Sequence, residues 1–169
     1  VLSIEDNELI FRGRGNMNTS GALRGSYTSN LKIEGLATAF GLFRFRTDAT
    51  TDNYLNTFEI DRTGAAGNAT LGTSLNVGEP NGAGNQFNGE FGLTNGSLVM
   101  NANIIIINST ANNFTSTVNG SFTGDYSADL ILNGTGDLGD PINFATGAER
   151  LEILEINRSV STDDVTLGT

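Results

Sequence analysis

From Phe114 to Leu132 the chain alternates two kinds of side chain without losing phase. Phe114, Ser116, Val118, Gly120, Phe122, Gly124, Tyr126, Ala128, Leu130 and Leu132 are apolar or small, and all but Ile131 of the residues between them are polar. Successive side chains on a strand point to opposite faces, so this pattern dictates extended chain with one dry face and one wet face. Read as a single strand, it would run on the order of 60 Å at about 3.3 Å per residue. A second alternation runs from Leu23 through Tyr27, Leu31, Ile33, Ala37 and Phe43 to Phe45. Leu36, Phe40 and Leu42 break its polar side after Glu34. That break predicts one strand up to Glu34 and another from about Leu36 to Arg46, joined by a bulge at Gly35.

The composition suits many turns and strands with a polar outer face. Gly (22), Asn (21), Thr (20) and Ser (12) make up 75 of the 169 residues. The regular recurrence of Phe, Ile, Leu and Val argues against disorder. Further strands are expected at Tyr54–Ile60 and Leu71–Val77, with loops at 63–68 and 78–85. Asn95-Gly96 between two apolar-patterned runs predicts a type I′ hairpin. It would pair Leu93 with Leu98, Phe91 with Met100, Gly89 with Ala102 and Phe87 with Ile104, all on one face. Around Glu149–Asn157 a capping box competes with a strand containing Leu151, Ile153, Leu154, Ile156 and Val160, and the all-β context favours the strand. Nine or ten strands in one domain predict an antiparallel β-sandwich or jelly roll, with a closed β-barrel as the alternative. No fixed repeat period stands out, which argues against a solenoid.

Nineteen acidic residues face eight Arg and one Lys, for a net charge of −10. Such a surface disfavours nucleic acid and anionic membranes. No run of apolar residues is long enough for a membrane helix. The chain opens at Val1 rather than Met, as expected of a mature terminus after leader removal or of an artificially chosen start. With no His and no Cys, imidazole or thiol catalysis and a zinc centre have no ligands to draw on. Carboxylate pairs (Asp48/Asp52, Asp137/Asp140, Asp163/Asp164) lie in turn-like segments, where Asp serves the backbone. The expectation is therefore no enzyme and no cofactor. The stretch Asn133–Asp140 resembles a single calcium-binding Gly/Asp loop, but it occurs once and reads better as a turn. Lys32 beside Glu34 reads as a solvated cation rather than an isopeptide partner. Eight Asn-x-Ser/Thr sequons (Asn18, Asn68, Asn95, Asn108, Asn113, Asn119, Asn133 and Asn157) are candidate N-glycan sites.

The apolar first segment, residues 1–12, is a candidate strand donor to a neighbouring subunit, with Leu2, Ile4, Leu9 and Phe11 as its knobs. Residues 13–169 would form the sandwich that accepts it, with residues 151–160 as the second candidate donor. The expected function is a structural subunit of an extracellular filament or surface coat, a secreted homopolymer built by strand donation. The competing readings are a secreted non-catalytic module for carbohydrate or a small apolar ligand, and a small outer-membrane barrel. No Trp and only three Tyr weigh against the first. Weak aromatic girdles weigh against the second.

Overall fold

A computed structural model describes residues 1–17, 20–36, 39–63, 67–80, 88–159 and 164–168. The chain winds in stacked coils. The first carries β1 (Leu2–Ser3) and β2 (Glu8–Arg12), and the second β3 (Leu23–Arg24), β4 (Asn30–Leu36) and β5 (Gly41–Phe43). The third carries β6 (Tyr54–Leu55), β7 (Thr57–Thr63) and β8 (Asn68–Leu71). The fourth has β9 (Leu75–Val77) and β10 (Glu90–Val99), and the fifth β11 (Ile104–Ser109), β12 (Phe114–Ser116) and β13 (Gly120–Thr123). The last two carry β14 (Asp129–Gly134) and β15 (Ile153–Arg158).

Every pairing between these strands is parallel. On the first face β2, β4, β7, the start of β10 and β12 lie side by side; on the second, β5, β8, the end of β10 and β13. The third face holds β6, β9, β11, β14 and β15. The architecture is a parallel β-solenoid. It overturns both the antiparallel sandwich or jelly roll and the closed barrel that the alternation suggested. Alternation reports which side of a strand is dry, not which strand lies beside it or in which direction. The repeat escaped detection because coil length varies. Leu2 pairs with Leu23, 21 residues on, whereas Thr57 pairs with Glu90, 33 residues on.

The two long alternations take on a different meaning in this fold. Phe114 to Leu132 is not one strand but β12, β13 and β14 on three successive faces. The dry phase survives two corners, yet Val118 and Tyr126 sit on those corners, 97% and 69% exposed. Leu31 and Ile33 belong to β4, and Phe43 to β5, around the corner from it. Gly35 carries a positive φ within β4; Ala37 lies outside the described residues.

The Asn95-Gly96 hairpin is also overturned, because β10 runs straight through these residues from the first face to the second. Gly96 has φ +85°, and a Cβ there would overlap the Gly67 carbonyl of the coil beside it. Glycine is thus required by a corner rather than by a turn-back. Asn119-Gly120 repeats the device on the next coil, with Gly96 N donating to Asn119 O at 2.9 Å. Phe87, assigned a place in the hairpin, lies outside the described residues, as do 81–85 of the expected loop. The tail is a strand, β15, but it is exposed along its length rather than buried on both faces. Val160 lies outside the described residues.

In-register stacking builds the core from columns of like residues. Leu9, Leu31, Phe58, Phe91 and Phe114 form one inward column of the first face, and Phe11, Ile33, Ile60 and Leu93 form the next. Phe91 stacks on Phe114 at a centroid separation of 5.7 Å, Phe58 tilts against Phe91 at 5.4 Å, and Phe122 stacks on Phe91 at 5.5 Å from the second face. Leu75, Ile105, Leu130 and Leu154 form a column on the third face, beside Leu55, Val77, Ile107, Leu132 and Ile156. Polar residues stack too. Asn157 Nδ2 donates to Asn133 Oδ1 at 3.2 Å, Asn133 Nδ2 to Asn108 Oδ1 at 3.0 Å, and Asn108 Nδ2 to Gly78 O at 3.1 Å.

Arginines gather carbonyls at two corners. Fully buried Arg62 donates through Nη1 to Gly13 O (2.9 Å) and Glu34 O (3.2 Å) and lies over the Phe40 ring. Burial lowers the proton affinity of its guanidinium. Arg158 donates to Gly136 O at 2.6 Å and Thr135 O at 2.8 Å.

Two residues that alternation alone assigns to dry faces should therefore differ sharply. Phe91→Ala, in the centre of the aromatic stack, is expected to cost about 3–5 kcal/mol. Val118→Ala, on a corner, should change stability by less than about 0.5 kcal/mol. Urea denaturation of the two variants checks this; equal losses would contradict the coil.

Candidate functional site

The outer side of the first face is a polar surface built by the same register. Its columns read Ile10, Lys32, Glu59, Gly92, Thr115 and, beside them, Arg12, Glu34, Asp61, Asn95. Opposite charges meet between neighbouring coils. Arg12 Nε lies 2.6 Å from Glu34 Oε1, and Lys32 Nζ lies 2.9 Å from Glu59, 3.4 Å from Glu34 and 3.9 Å from Asp61. Asn95 Nδ2 extends the network, donating to Asp61 Oδ1 at 2.7 Å, and Thr94 Oγ1 reaches Glu59 at 3.3 Å. The hydrogen bond from Arg12 holds the Glu34 carboxyl below its ordinary value. The hydrogen bond to Glu59 lifts the Lys32 ammonium above its own, against a smaller opposing effect of burial.

One tooth is missing from this surface. Gly92 stands in register between Glu59 and Thr115 and supplies no side chain. The result is a partly open cavity of about 300 Å³, with Thr57, Glu59, Glu90, Asn113 and Thr115 around it and Gly92 at its floor. Nothing in the local sequence pattern sets Glu59, Glu90 or Gly92 apart. Only the register of coils 33 and 23 residues apart brings them together.

The first and last described coils form the other distinctive surface. The large apolar side chains left exposed among the described residues are Val1, Leu2, Leu36, Ile104, Val118, Tyr126, Ile153, Leu154, Ile156 and Leu167. Val1 and Leu2 lie on the first coil, and Ile153, Leu154, Ile156 and Leu167 on the last. Leu154 and Ile156 continue the inward columns of the third face, yet stand 38% and 47% exposed because β15 is the outermost strand of its sheet.

The candidate donor segment is occupied on its own chain. Leu2–Ser3 pairs with Leu23–Arg24, and β2 pairs with β4. Ile4 is buried, while Leu9 and Phe11 pack partly buried against the core. Donation to a neighbour would require all of this to be released. Residues 1–12 are the first coil of the solenoid formed by the rest of the chain.

Asn108, Asn133 and Asn157 form the amide ladder, so the nitrogen that would carry a glycan is engaged in each; Asn108 is also buried. The Asn95 amide is held by Asp61, and Asn113 Nδ2 donates to Thr110 Oγ1 at 3.2 Å. Asn68 is half-buried in β8, whereas Asn119 stands exposed on a corner. Asn18 lies outside the described residues.

The carboxylate candidates serve the backbone or ion pairs. Asp52 is buried and faces Arg24 at 3.3 Å and Arg46 at 3.9 Å, while Asp48 pairs with Arg46. Asp140 Oδ2 accepts from Ser116 N at 2.9 Å, and Asp137 Oδ1 from Asp164 N at 3.0 Å. Asp163 lies outside the described residues. Among the described residues no group of three or more His, Cys, Asp or Glu is gathered as a metal site requires, the Asn133–Asp140 calcium candidate included. No helix among them is long and apolar enough to cross a membrane. Comparison with known proteins finds no matching family model, no matching curated protein and no matching solved structure.

The outer network carries a pH signature. Folding favours the Glu34 carboxylate, so its contribution is complete above the ordinary carboxylate range and is lost as pH falls through the lowered folded value. Folding favours the Lys32 ammonium, so its contribution holds below its ordinary value of 10.5 and is lost as pH rises through the raised one. The melting temperature should be level through neutral pH and fall at both extremes. Glu34→Gln should make the acid limb shallower, and an unchanged acid limb in a scanning-calorimetry pH series would show that the pair contributes nothing.

Proposed function

We propose that the chain is a non-enzymatic structural subunit that lengthens end to end into a filament. The observation supporting this is the set of exposed apolar side chains on the first and last described coils, whose outer strand edges pair with no other strand among the described residues. An open parallel edge carrying Ile153, Leu154 and Ile156 is a template for another strand. A second copy placed first coil to last coil keeps every strand parallel and continues the inward columns. Because this contact joins two different surfaces, it does not close on itself and generates an open polymer.

The joint differs from strand donation, since each copy keeps its own first coil and contributes a finished edge. The net charge of −10 works against sideways clumping and leaves the ends as the favoured contact. A secreted or cell-surface setting, expected from the composition, belongs to the same proposal. The polar outer face suits such a setting but does not require it.

Electron microscopy and sedimentation of the purified chain at rising concentration test the idea. Fibres or an end-to-end oligomer series are expected. Leu154→Glu and Ile156→Lys should each return the protein to monomers with an unchanged β circular-dichroism spectrum. A wild-type chain that stays monomeric, or variants that polymerise as before, would overturn the proposal.

A further inference from the structure

The gap at Gly92 lies on a side wall of the solenoid, away from both ends, and has its own chemistry. In a parallel stack the coils lie about 4.8 Å apart, and the missing tooth between Glu59 and Thr115 leaves a notch into which both neighbouring side chains lean. Gly92 is in contact range of both walls: a Cβ there would come within 3.1 Å of Thr115 Oγ1 and 3.2 Å of Glu59 Cγ. Its φ is not in the left-handed region, so the backbone alone does not demand glycine here. What the glycine supplies is space.

The walls offer mixed hydrogen-bonding chemistry. Glu59 and Glu90 supply carboxylate acceptors, the Asn113 amide can both donate and accept, and Thr57 and Thr115 supply hydroxyls. Glu59 is held in place by Lys32 at 2.9 Å and Thr94 at 3.3 Å, so one acceptor is fixed before a ligand arrives. The two carboxylates disfavour an anionic ligand, and Lys32, the cation beside the slot, is already shared among carboxylates. The volume of about 300 Å³ lies at the small end of ligand sites. The phenyl rings of Phe58 and Phe91 belong to the core and are buried. That leaves hydrogen bonding rather than aromatic stacking to hold the ligand.

We infer that the Gly92 slot is a subsite for a neutral, hydroxyl-rich ligand, a sugar unit of an uncharged oligosaccharide. Vicinal hydroxyls each donate and accept, and so match a carboxylate, an amide and a hydroxyl set side by side. With no stacking platform, hydrogen bonds alone hold the ligand and binding is weak. The site does not depend on end-to-end assembly and would function in a single copy.

The test is NMR titration of the ¹⁵N-labelled chain with four probes: maltotetraose, cellotetraose, a galacturonate oligomer of the same length, and tetralysine. At least one neutral probe should shift the Gly92 and Thr115 amide signals saturably. The shifts should survive added salt, and the uronate oligomer should leave the signals unmoved. Gly92→Val fills the slot and should weaken binding by at least about tenfold. Glu90→Gln, which removes charge without bulk, should weaken it severalfold and guards against a folding defect in the first variant. No shift with either neutral probe, a response to tetralysine alone, or sugar binding that persists in Gly92→Val would overturn the assignment.

Discussion

The hydrogen bonds between parallel strands in register govern this molecule. Each coil takes its backbone partners from the coils on either side of it, so a residue's neighbour is set by the coil and not by the chain. Parallel register places like on like, and the consequence is visible throughout the interior. Phenylalanines stack on phenylalanines from Phe58 to Phe114, branched aliphatics on aliphatics from Leu75 to Leu154, and amides on amides from Asn108 to Asn157. A column of identical amides satisfies itself only because each Asn can donate to one neighbour and accept from the other. The outer charges follow a different pattern: Arg12 meets Glu34 and Lys32 meets Glu59 on the next coil, while Glu34 and Asp61, in register one coil apart, share the Lys32 ammonium.

Corners are where this arrangement is most exacting. The backbone must leave one sheet and enter the next while passing close to the coil beside it. Gly96 and Gly120 meet that need by lacking a Cβ where the carbonyls of Gly67 and Leu93 press in. Arg62 and Arg158 meet it differently, each offering donors to more than one backbone carbonyl of the neighbouring coils. Residues that only pass around a corner, such as Val118 and Tyr126, are released to solvent whatever their polarity.

The same stacking shapes the functional reading. In a one-dimensional stack each coil contacts only its neighbours, and the outermost described coils leave one side of their columns uncovered by any other described strand. The outer side of the first face, by contrast, is mostly polar, and there the omission of a single side chain is enough to make a concave site. The ends are thus an apolar surface suited to another coil, and the slot is a polar surface suited to a small hydroxylated molecule. The two stand on different elements and different chemistry.

Much of the secondary structure was legible. Alternation located the strands and their dry phase: Leu31, Ile33, Phe58, Ile60, Leu130 and Leu132 are all buried, as their parity requires. Composition and the absence of His and Cys shaped the expected chemistry. The partner of each strand was not legible, because parallel and antiparallel neighbours demand the same alternation. Nor was the repeat, because loops of different length separate coils that stack in register. Asn95-Gly96 misled for a physical reason: glycine answers equally to a turn that needs positive φ and to a corner that has no room for a Cβ. The slot lay beyond reach for a related reason, since Glu59, Gly92 and Thr115 are neighbours only across coils. By itself the sequence determined an all-β chain with one dry side, because side-chain parity is a local property of extended backbone. Only the tertiary structure decided that this side faces the axis of a parallel coil, because strand pairing is a contact between distant residues that no local pattern encodes.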